Sequence, residues 1–435
     1  MERIVVRRSG ALTGRLTVPG AKNSVLKLIA ASLLADGVHE LTNVPAISDV
    51  PTMCELLATL GVSAEASDPL GPPGVLRLHN TGSVTPVAPY ELVERIRASI
   101  LVLGPLLSRY GYAKVSFPGG DDFGVRPIDM HVKGLEAMGA TFEVSHGDLV
   151  GRADRLHGAV ISLPYPSVGA TENLVMAAVL AKGTTVIDNA AREPEIGDLC
   201  ALLCEMGAQI EGAGTSLLRI HGVDASELRA VSHRVVSDRV QAATYLAAVG
   251  VCGGELFVED AHAAHMEMLL DRFVAMGMLV TSCDDGILAT VPDGRLRSVD
   301  VSTLPYPGVA TDYKPLIVTM LAVADGVGIV TENLYPGRFR YVEELQRLGA
   351  QIRTDGHHAV VRGVPHLRGA SVTAGDIRAG AALVVAGLAA EGETVIGGVE
   401  HIDRGYEDLV GRLSSVGALI ERVDVDEPVE VPSSV

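Results

Sequence analysis

Leu60-Gly61-Val62 closes a mixed, helix-like run, and the same apolar–glycine–apolar triplet returns at Met138-Gly139-Ala140, Met206-Gly207-Ala208, Met276-Gly277-Met278, Leu348-Gly349-Ala350 and Val416-Gly417-Ala418. The glycines are separated by 78, 68, 70, 72 and 68 residues. Self-similarity at a near-fixed period marks one supersecondary unit copied along the chain. Six copies in 435 residues exceed what a single core comfortably holds, so two domains of three copies each are expected.

Working outward from the glycines, each copy opens on a run that is apolar on every face: Val25–Leu34, Ile100–Leu107, Asn173–Leu180, Ala242–Val251, Pro315–Ala324 and Ala379–Ala390. A helix with no polar face is buried on all sides, in a core or in a bilayer. The longest of these runs has 12 residues, well below the roughly 20 that a bilayer needs, so they are expected as core helices. Each ends near a glycine (Gly37, Gly111, Gly183, Gly253, Gly326, Gly392), where a left-handed residue costs little. Short β-like stretches follow at His39–Asn43, Ala113–Phe117, Thr185–Asp188, Leu256–Glu259, Gly328–Thr331 and Thr394–Ile396. A loop, an amphipathic helix such as Met53–Leu60 or Val342–Leu348, the closing glycine and a further strand complete the copy. The expectation is a mixed α/β fold of six βαβαββ-type repeats.

Hydrophobic residues make up 48% of the chain but aromatic ones only 4%, with no Trp, which suits closely packed Ala/Val/Leu helices. The net charge of −18 argues against nucleic acid or an acidic membrane surface as a partner. An anionic substrate would then need positive charge concentrated in one place. Five cysteines (Cys54, Cys200, Cys204, Cys252, Cys283) are scattered and mostly on helix-like segments; Cys200 and Cys204 lie one helical turn apart but have no nearby His partner, so they read as core thiols and no metal is expected. The N-terminal stretch from Met1 to Val6 is strand-like and lacks a signal-peptide core, which predicts a reduced, cytoplasmic protein.

Charge collects in the loops. Gly20-Ala21-Lys22-Asn23 precedes the first apolar run; a Lys beside helix-start N–H groups can hold an anion, and a solvated Lys before a capping Asn is the plainer alternative. Residues 118–129, Pro-Gly-Gly-Asp-Asp-Phe-Gly-Val-Arg-Pro-Ile-Asp, combine three glycines with Asp121, Asp122 and Arg126, more chemistry than a structural hairpin requires. Val236-Ser237-Asp238-Arg239, Ala310-Thr311-Asp312-Tyr313-Lys314, Gly375-Asp376-Ile377-Arg378 and His401-Ile402-Asp403-Arg404-Gly405-Tyr406 repeat an Asp–Arg or Asp–Lys theme. For Asp238 and Asp376 a bare helix N-cap is an open alternative.

With these stretches, Arg97-Ala98-Ser99-Ile100, the 166–173 run Pro-Ser-Val-Gly-Ala-Thr-Glu-Asn and the 189–195 run Asn-Ala-Ala-Arg-Glu-Pro-Glu, the chain from about residue 3 to 423 resembles the enolpyruvyl transferases, in the branch that acts on UDP-N-acetylglucosamine. The Gly-Ser-Lys-Ser motif of the shikimate branch is absent. The resemblance implies two inside-out α/β domains, 22–236 with the catalytic loop 118–124, and 1–21 plus 237–435, with an active site in the cleft between them. It implies addition of a sugar 3-hydroxyl across phosphoenolpyruvate and elimination of phosphate, with no cofactor, membrane or nucleic-acid partner. Lys22, Arg126 and Arg404 match positions that hold phosphoenolpyruvate, with Arg97 and Arg338 as supporting cations. Asn23 matches a position at the reaction centre, Asp312 the base, and Asp121 a general acid. Arg126, Pro127, Ile128, Asp129 and Met130, with Ser167, Val168 and Gly169, match the loops that hold the uridine diphosphate. Asp238, Asp376 and Arg378 match near-site charges.

Three positions depart from the family pattern. Asp121 stands where most members carry Cys; a carboxylic acid of raised pKa can still deliver a proton, and fosfomycin, which alkylates that Cys, is expected not to act. Lys314 replaces the usual Gln, and Gln241 the usual Glu. Both are candidates for acceptor specificity, since an added cation would suit a nucleotide such as UMP, the substrate of a nucleoside-antibiotic paralogue. A non-catalytic binding paralogue is the third possibility, disfavoured because Lys22, Asp121, Arg126, Asp312 and Arg404 are costly to keep without a ligand.

Overall fold

The structure is a computed structural model that describes residues 2–66, 74–117, 127–292, 294–335 and 337–424. The chain divides into two compact units. The first comprises Pro19–Asp238 with Pro305–Pro307, and the second Met1–Val18, Arg239–Leu304 and Gly308–Val435.

All twelve glycines that punctuate the repeats, Gly61, Gly139, Gly207, Gly277, Gly349 and Gly417 as well as the six that follow the apolar runs, have positive φ. At Gly61 (φ 107°) an added Cβ would also lie 2.3 Å from the Ser83 carbonyl oxygen, so conformation and space both demand glycine.

The apolar runs form the helices Lys22–Ala31, Leu103–Tyr110, Val168–Ala178, Arg239–Cys252, Lys314–Val323 and Ile377–Ala389. Ile377–Leu388 is buried at every position, as a helix without a polar face must be. In the second unit the last three of these helices pack on one another. Small residues permit the approach: a Cβ on Gly250 would meet the Met320 methyl at 2.7 Å. In the first unit a Cβ on Gly104 would fall 2.3 Å from the Asn173 carbonyl oxygen of the neighbouring helix.

Among the described residues, each unit wraps its helices in three four-stranded sheets. One sheet of the first unit shows the common pattern: Val160–Ser162 runs parallel to Thr184–Asp188, which is antiparallel to Leu217–His221, which is antiparallel to Gln209–Glu211. That is the expected βαβαββ copy, with its last two strands closing as a hairpin. The strands bury alternate residues, as in Val327–Thr331, where Gly328 and Val330 are inside and Val327 and Ile329 face out.

Three sheets are completed from far along the chain. Ser232–Arg234 pairs parallel with Gly37–Thr42. Leu12–Thr17 pairs parallel with Gly254–Glu259. Glu2–Arg7 inserts between Glu393–Gly397 and Leu419–Asp424, antiparallel to both. Cys200 is buried and Cys204 exposed on the amphipathic Pro194–Met206 helix, and burial pushes the Cys200 thiol up to about 12.

Candidate active-site groups

The Lys22–Ala31 helix starts on a short backbone bridge. Gly20 pairs with Ser237, Ala21 N–H donates to the Val236 carbonyl at 2.7 Å, and Asp238 N–H to the Pro19 carbonyl at 2.9 Å. A side chain at Gly20 would lie 1.9 Å from the Asn43 carbonyl oxygen, which explains the glycine. The bridge sets Asp238 against the helix start, where its carboxylate accepts the Lys22 backbone N–H at 3.2 Å. Asp238 thus serves the first helix of the first unit, beyond any role at the start of the helix that follows it. Asp376, by contrast, caps its own helix, accepting from the Arg378 and Ala379 N–H groups at 2.8 and 2.9 Å.

The Lys22 ammonium is buried against Asp49 at 2.8 Å, so the solvated-Lys alternative falls. Asn23 is exposed. One residue further, the Ser24 hydroxyl donates to Asp198. Asp198 also accepts the Val236 N–H at 3.2 Å and faces His233 Nε2 at 2.9 Å, while His233 Nδ1 faces Glu205 at 2.8 Å. Both ring nitrogens face carboxylate oxygens, which accept, so the contacts favour the imidazolium form of His233. Burial alone would lower its pKa; the hydrogen bonds and charges of Asp198 and Glu205 outweigh burial and raise it. A raised histidine contributes stability that is complete below its unfolded value of about 6.5 and is lost as pH rises through the folded value. The urea midpoint should therefore drop as pH rises above about 6.5, and His233→Gln, losing about 1–3 kcal/mol at the acid end, should flatten that dependence.

The two segments matched to the nucleotide come together. Ser167 caps the Val168–Ala178 helix, accepting the Ala170 N–H at 3.3 Å. Gly169 faces the His131 ring, where a Cβ would stand 3.3 Å away. His131 lies on the helix Asp129–Ala137, next to Met130 and just past Pro127 and Ile128. Asp129 itself is surface-paired to Lys133 at 3.1 Å. Burial, then the nearby Arg97 charge, lowers His131 to about 4, so it is neutral at physiological pH. Asn173 joins these parts: it donates to the Ile100 carbonyl at 2.8 Å, sits 2.9 Å from His131 Nδ1 and accepts the Gly104 N–H at 2.6 Å. Beside it, Glu172 holds an ion pair with Lys27, both buried.

In the second unit Asp312 lies between two guanidinium groups: Arg338 Nη1 donates to Oδ1 at 2.8 Å and Arg378 Nε to Oδ2 at 3.3 Å. The arginine side chains are 5% exposed and that of Asp312 25%, so the carboxylate reaches solvent while its cations do not. Burial alone would raise the carboxyl; Arg338 and Arg378 outweigh it and hold Asp312 well below the usual carboxylate range. Arg239, behind them, donates to the Tyr313 hydroxyl at 2.8 Å. Arg404 caps the short helix Val399–Asp403 and is half-buried, as is Arg97 at the start of the Arg97–Val102 turn.

Lys314 and Gln241, the two candidates for acceptor specificity, are both buried and paired within the protein. The Lys314 side chain is wholly buried, 2.9 Å from an equally buried Glu332, so its charge is matched inside the protein. Gln241 is likewise buried, donating to the Gly405 carbonyl at 3.3 Å and accepting from Tyr245 at 3.2 Å. Asp121, Arg126 and the loop 118–124 lie outside the described residues. Sequence reasoning missed Asp49, Asp198, His131, His233 and Glu332 as partners. Glu172 stood within the 166–173 motif, but nothing local said that it faces inward.

A fold of two helix-cored α/β units whose loops carry paired Asp, Lys and Arg is that of the carboxyvinyl transferases, and the chain belongs to the EPSP synthase (3-phosphoshikimate 1-carboxyvinyltransferase) family, which it matches over residues 6–413. It is 50% identical over 423 residues to UDP-N-acetylglucosamine 1-carboxyvinyltransferase of Nocardia farcinica, covering 97% of this chain and 99% of that one. It is 48% identical over 422 residues to the enzyme of the same name from Mycobacterium tuberculosis, with the same coverage. Among solved structures it is similar to the enolpyruvyl transferase NikO of Streptomyces tendae, at TM-score 0.87 and 25% identity over 97% of this chain and 98% of that one.

Proposed function

We propose that this enzyme transfers enolpyruvyl from phosphoenolpyruvate to the 3-hydroxyl of UDP-N-acetylglucosamine, in the cytoplasm, as a step of peptidoglycan synthesis. The observation that carries this reading is the near-full-length likeness, at 50% identity, to a relative named for that reaction. The hydroxyl oxygen bonds to C2 of phosphoenolpyruvate as a proton reaches C3; loss of a C3 proton and cleavage of the C2–O bond then release phosphate. Asp312 is assigned as the base for the hydroxyl and Asp121 as the acid for C3. Lys22, Arg97, Arg126, Arg338 and Arg404 are assigned to the anions, with Asn23 at the reaction centre. The segments 126–130 and 167–169 are assigned to the uridine diphosphate.

Asp312, held low by two arginines, is ionised at neutral pH and is a weak base. If those arginines turn toward the substrate's phosphate and carboxylate, their hold on Asp312 weakens and its basicity rises as the complex forms. Arginine suits this exchange because its planar fork matches carboxylate and phosphate alike. Among the described residues no helix is long and apolar enough to cross a membrane, which is compatible with soluble substrates.

Phosphate release from phosphoenolpyruvate with purified protein tests the assignment, comparing UDP-N-acetylglucosamine with UMP. Turnover with the amino sugar alone is expected; turnover with UMP alone would move the enzyme to another nucleotide and overturn the proposal. With Asp121 in the catalytic loop, fosfomycin should leave the mass of the intact protein unchanged, whereas Asp121→Cys should gain one fosfomycin adduct. An adduct on the unaltered protein would show that another residue takes the drug.

A further inference from the structure

We infer that the buried Lys314–Glu332 pair is a positioning pair for the reaction, holding Asp312 and Arg338 in register from beneath; the inference rests on Asp312 acting as the base.

The three ammonium hydrogens of Lys314 have three acceptors: the Glu332 carboxylate at 2.9 Å, the Arg338 backbone carbonyl, and the Phe339 ring face, whose centroid is 3.9 Å away. Glu332 is as fully used. One oxygen accepts the Thr311 hydroxyl at 2.7 Å; the other accepts the Thr303 hydroxyl at 2.7 Å and the N–H groups of Leu334 and Tyr335 at 2.8 and 3.1 Å. Burial alone would raise the Glu332 carboxyl, but Lys314 and the threonine hydroxyls outweigh it and keep it ionised.

The bonds of this pair end beside the base. Thr311 directly precedes Asp312 in the Thr311–Tyr313 turn, and its hydroxyl oxygen also accepts Arg338 Nη1 at 3.3 Å. The same Nη1 donates to Asp312 at 2.8 Å, closing a ring of contacts from Lys314 through Glu332, Thr311 and Arg338 to Asp312. The second tie, from Lys314 to the Arg338 carbonyl, fixes the backbone that carries that guanidinium. Stability alone is a poor reason for such a pair, because apolar residues of similar volume often replace a buried ion pair without loss. Apart from Thr319 the rest of the Lys314–Val323 helix is apolar and would accept one. Among the described residues the charges that act most on Asp312 are Arg338, Arg378 and Arg239, so a change in how Arg338 is held is expected to show in the titration of Asp312.

The test is Lys314→Met in the full chain, read by kinetics and by carbon-13 NMR of the Asp312 carboxyl. We expect kcat to fall by about tenfold or more, with KM for the acceptor within about threefold, because small displacements of a reacting group cost rate before affinity. The Asp312 titration should move to higher pH as the hold of Arg338 loosens. If Lys314→Met does not fold, Lys314→Met with Glu332→Met removes the stranded carboxylate as well and should show the same two changes. Unchanged kcat and an unchanged Asp312 titration, with only a lower melting temperature, would make the pair a core brace and overturn the inference. Absence of turnover by the unaltered enzyme with either acceptor would instead sink the assignment of the base; the NMR titration would still decide whether the pair positions Asp312.

Discussion

Asp312→Asn should lower kcat for phosphate release by about 10²–10⁴-fold, the range typical of a lost general base, while binding of phosphoenolpyruvate is retained or tightened. The amide keeps the shape of the side chain but cannot accept a proton at neutral pH. It also removes the negative charge that Arg338 and Arg378 now share at 2.8 and 3.3 Å. Two guanidinium groups without their carboxylate are better placed to take an incoming anion, so rate and affinity should move in opposite directions. A general loss of structure would weaken both. Single-turnover phosphate release and calorimetric binding of phosphoenolpyruvate separate the cases, and a variant that keeps its kcat would remove Asp312 from the chemistry. Because the arginines hold Asp312 so low, an acidic limb in kcat/KM near neutral pH would have to come from another group.

The second large effect is on stability. Lys27→Met should cost about 3–5 kcal/mol near neutral pH, because it strands the Glu172 carboxylate in the core. The Lys27 side chain is 1% exposed and that of Glu172 6%, and they form a single contact pair. Burial already raises the Glu172 carboxyl, with Lys27 pulling it only part of the way back. Without Lys27 it rises further. A carboxyl raised in the folded state favours folding while it is protonated and loses that contribution as pH rises through the folded value. The penalty of Lys27→Met should therefore shrink toward acid pH and grow toward alkaline pH. Denaturant melts at two pH values test the sign, and Lys27→Met with Glu172→Gln should recover much of the loss. A penalty independent of pH would mean that Glu172 finds another partner.

Much of the local structure was legible because it is written in short-range chemistry. The runs without a polar face became the core helices, within a few residues at each end; Pro315–Ala324, for example, is realised as Lys314–Val323. The β-like stretch Gly328–Thr331 became Val327–Thr331. The largest shift is at Asn173–Leu180, whose helix starts five residues earlier, at Val168; Ile100–Leu107 divides into an Arg97–Val102 turn and a Leu103–Tyr110 helix. Candidate site residues were visible as charge in loops where the framework is apolar. Their partners were not. Asp49 lies 27 positions from Lys22, Glu332 lies 18 from Lys314, and Arg378 lies 66 from Asp312, separations at which no periodicity operates.

Lys314 shows the consequence. As a letter in a loop it read as a spare cation; in the fold its charge is already taken by Glu332, itself unremarkable in the chain. Asp238 and Asp376 looked alike as Asp–Arg pairs before helices, yet Asp376 caps its own helix and Asp238 accepts from Lys22, 216 residues away.

Repeat number, the alternation of buried helix with edge-exposed strand, the glycine stops and the family were determined by sequence alone, since each depends on residues within one turn, one strand or one motif. Which strand completes which sheet was decided only by tertiary structure. Glu2–Arg7 and Leu12–Thr17 belong to sheets whose other strands begin some 240 residues later or more, and Ser232–Arg234 returns to Gly37–Thr42. Backbone hydrogen bonds are the same for every sequence, so a strand carries no address for its partner. The address is supplied by burial of its apolar face against a core that exists only once the rest of the unit has folded.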